Sequence, residues 1–321
     1  MPIPTPLHPK TSALCHSFEW RNWSGYLTAG TYEPTHEREY YALRNAAALF
    51  DISPLYKYEI TGPDALRLVN RIMTRDMARC QVGHVMYSPW CNEDGHVIDD
   101  GTIARLGEQH FRITAADPNL WWFQDVGYGL NAHVADVSTQ LAALSLQGPH
   151  ARNILKTAVT GVNLDDLRYF RLAQVQFDGF PLTITRTGYS GDLGYELWIT
   201  PDRAGAVWDA LTAAGQGYGL APAGIIALDI ARIEAGLLLI EVDYVSAHKA
   251  VIESQKSSPF EIGLGWAVAL DKGNFVGRKL LAEHARGSRW QLVGLDIDWP
   301  ALEKLFSMVD LPPQVAGRAS R

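Results

Sequence analysis

Thr187-Gly188-Tyr189-Ser190-Gly191-Asp192-Leu193-Gly194-Tyr195-Glu196-Leu197 links two apolar-alternating runs. Phe180-Pro181-Leu182-Thr183-Ile184-Thr185-Arg186 precedes it, and Glu196-Leu197-Trp198-Ile199 closes it. Alternation predicts strands on both sides, and the glycines at 188, 191 and 194 predict a loop between them. Glycine admits positive φ and lets another group approach the backbone closely. Two tyrosines and two carboxylates ride on this loop. A carboxylate beside aromatic faces suits a flat heterocycle with adjacent N–H donors, because the carboxylate accepts from the edge while a ring stacks on the face. A glycine-rich hairpin with solvated acids fits the same residues, so the loop alone leaves both readings open.

Outward from the loop, the pattern is α+β. Thr35 to Leu49 has helical spacing, and Tyr56-Lys57-Tyr58-Glu59-Ile60 alternates up to the turn at Thr61-Gly62-Pro63-Asp64. Ala65 to Met73 is an amphipathic helix that Asp64 is placed to cap. Val85-Met86-Tyr87-Ser88, a turn at Asn92-Glu93-Asp94-Gly95, and Val97 to Ala104 predict a hairpin. Its second strand carries Asp99 and Asp100, whose side chains must point to opposite faces. An edge-strand acid pair is the plain alternative to a functional one. Residues 1–35, rich in proline and turn formers, read as an irregular arm, and Gln291-Leu292-Val293-Gly294-Leu295-Asp296 reads as a new strand. Strands and helices in this order point away from a doubly wound sheet.

Composition removes several function classes. At 321 residues the chain can form two or three packed units. Its net charge of −7 argues against a general nucleic-acid or anionic-membrane surface. Cys15, Cys80 and Cys91 are too few and too scattered for a disulfide framework or a zinc site, and the histidines lack metal-ligand spacing, so no metal is expected. No phosphate-binding P-loop, His-Glu-x-x-His or Gly-x-Ser-x-Gly is present. The N-terminus lacks the basic and apolar regions of a signal peptide, and no apolar run reaches bilayer length. A cytoplasmic protein without membrane or nucleic-acid partners is expected.

The loop resembles the T-G-Y-[ST]-G-E-x-G-[YF]-E signature of the folate-dependent aminomethyltransferases, the T-protein family of the glycine cleavage system. Folate-dependent demethylases and the folate domains of dimethylglycine and sarcosine dehydrogenases are relatives. Further matches are Phe50-Asp51-Ile52-Ser53, Gln147-Gly148-Pro149, Ala227 to Leu237, Ser258 to Trp266, and Phe275-Val276-Gly277-Arg278. The chain departs from the family at Pro54, where a histidine is usual, and at Leu228, where an arginine is usual. The resemblance spans about residues 36–298.

That resemblance implies two similar α+β subdomains, about 36–140 and 141–285, around a central folate hole. Residues 1–285 would then be the folate-binding domain, and 286–321 the beginning of a C-terminal β-barrel, mostly absent. It also implies tetrahydrofolate as cofactor, held by Tyr87, Tyr169, Tyr189, Glu196, Arg232 and Trp266, with Asp100 as the catalytic carboxylate. The donor would be a small molecule carrying a methyl or aminomethyl group, with a lipoyl carrier protein as the alternative partner. A folate-binding protein without transfer activity is the rival from another class.

Overall fold

A computed structural model of the protein describes residues 1–312. The chain begins with β1 (Ile3–Pro4), α1 (His8–Leu14), β2 (Trp20–Trp23) and β3 (Tyr26–Ala29). The arm expected to be irregular therefore contains a small sheet of order β1-β3-β2. Its hairpin closes at Ser24 and Gly25, both at positive φ, and Leu7 is fully buried against the main core.

The chain continues through α2 (Glu37–Asn45), β4 (Ala47–Asp51), β5 (Tyr56–Thr61), α3 (Ala65–Ile72), β6 (Val85–Cys91), β7 (Val97–Gly107), β8 (His110–Ala115), α4 (Leu120–Val126) and β9 (His133–Asp136). It then forms β10 (Ala142–Gln147), α5 (Ala151–Ala158), β11 (Leu172–Phe177), β12 (Phe180–Thr185), β13 (Gly194–Ile199), α6 (Pro201–Gly215), β14 (Leu220–Pro222), α7 (Ile225–Glu234), α8 (Arg278–His284) and α9 (Trp299–Met308).

Two large sheets dominate. The first, of order β6-β7-β8-β5-β9, is antiparallel throughout. Its outer face is covered by α3, whose Ala65, Leu68, Val69 and Ile72 recur at helical spacing and are all fully buried. Phe123 of α4 completes that core, against Tyr58 and Trp90. Each such apolar side chain contributes roughly 1.5–3 kcal/mol on leaving water. The N-cap expected of Asp64 is not made: its carboxylate accepts from the backbone N–H of Asn131 at 2.8 Å, which ties the helix start to a distant loop instead.

The second sheet has the order β11-β12-β13-β10-β4-β14, antiparallel except for the β4–β14 edge. Its core packs Leu144, Ile184 and Leu197 against Ile154 of α5 and Val207 and Leu211 of α6. β4 lies within residues 36–140 yet pairs with β10, so the partition by sheet crosses the partition by sequence. The fold is the α+β, T-protein-like one expected.

The C-terminal expectation needs correction. Gln291–Asp296 forms no strand, and among the described residues one backbone bond joins it to the body, Leu292 N–H to the Glu261 carbonyl at 2.8 Å. A strand needs a neighbour for its N–H and C=O groups, and no described residue supplies one. Trp299–Met308 is a helix, capped by Asp298. No β-barrel forms among the described residues of 286–321, and the rest of that stretch lies outside them.

Candidate functional site

The glycine loop joins β12 to β13 as predicted, and its glycines have a specific reason. Gln147, at the end of β10, pairs in register with Gly194 and is fully buried. Its side-chain amide donates to Ser145 Oγ at 2.9 Å and to the Thr187 carbonyl at 3.3 Å, and accepts from Ser190 Oγ at 2.9 Å. A Cβ at either Gly188 or Gly194 would overlap that amide. The loop is thus shaped around a buried glutamine supplied by the Gln147-Gly148-Pro149 turn. Arg44 closes it from outside, bonding Asp192, the Ser190 carbonyl and Glu234 of α7.

From this loop Glu196 projects into the space between the two sheets. That gap is lined by Val85, Thr102, Ala104, Arg112 and Thr114 on one side, and by Thr183, Thr185, Glu196 and Trp198 on the other. The Glu196 carboxylate accepts from Thr187 Oγ1 at 2.7 Å and, more weakly, from Thr185 Oγ1 at 3.5 Å. Burial pushes its carboxyl above the usual carboxylate range, and the two threonine hydroxyls oppose the shift. Tyr169 stands close enough for Glu196 to raise its phenol, after burial; its ring is 66% exposed and edge-on to Phe170.

Strand alternation separates the two aspartates. Asp99 is fully buried on the face of Trp90. Its carboxylate accepts from the Asp100 and Asp117 backbone N–H groups at 2.8 and 3.0 Å and from Asn119 Nδ2 at 3.0 Å. Asn119 also accepts from Trp90 Nε1. These are structural bonds inside the core.

Asp100 points the other way, with Tyr87 and Thr102, and Thr102 lines the same gap as Glu196. Tyr244 donates its hydroxyl to Asp100 Oδ1. Burial pushes the Asp100 carboxyl up, and the Tyr244 and Tyr87 hydroxyls pull it back. Tyr87, Tyr189 and Tyr244 are in turn all raised, by burial first and the Asp100 charge second. A partly buried carboxylate ringed by phenols can hold a proton or balance a positive charge.

The structure therefore brings Asp100, Tyr87 and Tyr189 together, and adds Trp266. The Trp266 ring stacks on Tyr87 with centroids 6.0 Å apart and stays 65% exposed. The Tyr189 hydroxyl donates to the Leu238 carbonyl. Arg232 sits beneath this group. It is buried, pairs with Asp229 at 2.8 Å and with Asp243, and donates to the Leu237 carbonyl at 3.2 Å. Those bonds fix the turn that carries Leu238 and Tyr244, so its guanidinium is committed within the chain. Leu228 packs with Phe50 and Ile52 in an apolar cluster, so its departure from the family places an apolar side chain there.

Sequence reasoning missed Tyr244, the Thr185–Thr187 pair and Arg75. Arg75 Nη1 donates to the Tyr87 carbonyl at 3.3 Å and its guanidinium lies 5.3 Å from the Trp266 ring. Tyr244 directly follows Asp243, the partner of Arg232, which is the only signal in the sequence that marks it.

Known proteins resemble the chain in sequence and in fold. The family model described as GCVT N-terminal domain matches residues 9–272, and the chain belongs to that family. A trimethylamine-oxide aldolase from Ruegeria pomeroyi is 39% identical over 84% of this chain and 34% of its own length. An aminomethyltransferase from Halothermothrix orenii is 36% identical over 81% of this chain and 71% of its own length. The chain thus spans about a third of the first relative and about seven tenths of the second. Among solved structures, the glycine cleavage system aminomethyltransferase T from Bartonella henselae superposes with a TM-score of 0.78. Its identity is 26%, over 89% of this chain and 75% of that one. Among the described residues no helix is long and apolar enough to cross a membrane.

Proposed function

We propose that the protein is a tetrahydrofolate-dependent one-carbon transferase that moves a methyl group, or a methylene group already at the oxidation level of formaldehyde, from a small amine or sulfonium donor to folate N5. One observation carries this: Asp100 shares a strand face with Thr102, which lines the gap, and accepts from the Tyr244 hydroxyl, while its neighbour Asp99 is saturated by core bonds. Strand alternation sends any adjacent pair to opposite faces; what marks Asp100 is that the side chains meeting its carboxylate are tyrosine hydroxyls.

The residues present fit a reduced folate. Glu196 offers a buried carboxylate backed only by hydroxyls, suited to the N–H edge of a pterin. Tyr87, Tyr169, Tyr189 and Trp266 offer ring faces. Tetrahydrofolate would supply the accepting nitrogen. Asp100 would accept or orient a proton and balance developing positive charge, and its phenol partners would oppose the rise that burial imposes on its pKa. Arg232 would act through the turn it holds. Burial of both reactants in one gap supplies the alignment. Cys15, Cys80 and Cys91 are free and buried, which suits a reducing, cytoplasmic setting.

A small donor is favoured by the likeness to a relative named for a small methylated amine oxide. The likeness to aminomethyltransferases supports the second reading, an aminomethyl group delivered on a lipoyl carrier. A donor panel with tetrahydrofolate separates them. Dimethylglycine, sarcosine, dimethylsulfoniopropionate and trimethylamine N-oxide form one arm, and an aminomethyl-lipoyl carrier the other. Turnover with a member of the first arm is expected. Methylene-tetrahydrofolate and ammonia formed only with the carrier would replace this reading with the second.

A further inference from the structure

A line of contacts leads outward from Asp100. Tyr87 shares the strand face of Asp100, the Tyr87 ring stacks on exposed Trp266, and Arg75 packs on Trp266. The Arg75 backbone is pinned on both sides: its N–H donates to Ser88 Oγ at 3.2 Å, and its carbonyl accepts from the buried Lys272 ammonium at 2.7 Å. Thr74 next to it accepts from Ala269 N–H at 3.0 Å and donates to the Ala267 carbonyl at 2.8 Å, locking the Trp266 turn to this segment. The guanidinium is therefore held in place, yet its one polar bond is to the Tyr87 carbonyl.

Arg75 forms no ion pair among the described residues, in a chain whose acids outnumber its bases by 35 to 28. Arg171 is similar: its guanidinium donates to the Phe170 carbonyl at 2.9 Å and has no carboxylate partner among the described residues. Arg105, Arg171 and Arg75 all act on the buried Cys80 thiol, opposing the burial that raises it. Partial burial lowers the Arg75 pKa, and the like charge of Arg79 lowers it further. An anion bound by Arg75 would relieve both costs. Guanidinium geometry favours a carboxylate, which it can meet with two parallel N–H bonds.

We propose that Arg75, held beside Tyr87 and Trp266, binds a carboxylate group of a ligand at the outer end of the site. This deepens the function proposed above and rests on it. The carboxylate has two candidate sources, the glutamate end of the folate and a carboxylate on the one-carbon donor.

The test is titration of the full chain and its Arg75→Met and Arg75→Lys variants with two probes, tetrahydrofolate and 6-methyltetrahydropterin, which has no glutamate. Steady-state KM is measured beside it for dimethylglycine and for trimethylamine N-oxide, which has no carboxylate. If the folate supplies the carboxylate, Arg75→Met weakens tetrahydrofolate by about tenfold or more, the usual scale for a charge-assisted pair. Pterin affinity then stays within about twofold, which also shows that the variant is folded, and Arg75→Lys recovers part of the loss. If the donor supplies it, the KM for dimethylglycine rises while that for trimethylamine N-oxide and the folate affinity hold. Either outcome supports the proposal. Unchanged tetrahydrofolate affinity together with unchanged dimethylglycine KM in Arg75→Met overturns it alone. Absence of tetrahydrofolate binding by the unaltered chain overturns the folate reading, and this inference with it.

Discussion

Tyr244 and Asp100 are 144 positions apart in sequence and share a hydrogen bond, the phenol donating to Oδ1. That bond stabilises the carboxylate form and pulls the Asp100 pKa down against burial. Tyr244→Phe removes it, so the Asp100 pKa rises further. If the carboxylate is the active form, the acid limb of the pH–kcat profile moves to higher pH in Tyr244→Phe, with folate affinity little changed. A profile that superposes on the unaltered one would detach Tyr244 from the chemistry.

Among the described residues Glu196 forms no ion pair: Arg112 of the same gap is paired with Glu59, and Glu196 accepts from Thr187 and Thr185. Its value as a pterin anchor lies in being an unpaired acceptor. Glu196→Gln should lose about 1–3 kcal/mol of tetrahydrofolate binding, the scale of one charge-assisted bond. Calorimetric titration measures it directly, and equal affinity would remove Glu196 from the site.

Gly194 cannot carry a Cβ without displacing the Gln147 amide. Gly194→Ala should cost about 1–3 kcal/mol of stability by overpacking, visible as a lower denaturant midpoint. Gln147→Ala in the same chain opens that space, so the double variant should lose less than the sum of the two single changes. Strict additivity would show that the loop glycines are not set by Gln147.

Glu59 governs acid stability. His110 Nε2 lies 3.0 Å from its Oε2, and Arg112 donates to Oε1 from Nε at 3.2 Å and Nη2 at 2.8 Å. These partners hold the carboxyl at about 2, against an ordinary value of 4.5. The folded pKa lies below the unfolded one, so the stabilisation is complete above the ordinary value and fades as pH falls towards about 2. Glu59→Gln should lower stability by about 2 kcal/mol at neutral pH. The gap to the unaltered chain should close as the solution is acidified, in urea melts from neutral pH down to pH 3. A gap that stays constant across that range would contradict it.

The sequence made the hairpin around Gly188, Gly191 and Gly194 legible because alternation and glycine spacing are local signals. It also made legible the opposite facing of Asp99 and Asp100, since a strand leaves no other choice. The choice of Asp100 over Asp99 as the catalytic carboxylate rests, in the sequence, on family resemblance alone. Tyr244, Arg75 and the bonds that occupy Arg232 were not legible, because each depends on which distant segments meet. The missing C-terminal strand has the same cause: Gln291–Asp296 has strand-like residues, and no local signal tells whether a neighbour is there to pair with them.

The central claim is that Asp100, and not Asp99, serves one-carbon transfer to tetrahydrofolate. The most direct measurement is single-turnover transfer of an isotopically labelled methyl carbon from the best donor of the panel onto tetrahydrofolate, read by mass spectrometry. It is run with the unaltered chain, Asp100→Asn and Asp99→Asn, after folate affinity is checked in each. The account predicts label on tetrahydrofolate with the unaltered chain and none with Asp100→Asn, whose folate affinity stays within a few-fold. Asp99→Asn, if folded, should keep measurable transfer. Transfer that persists in Asp100→Asn, or is lost only in a folded Asp99→Asn, would contradict it.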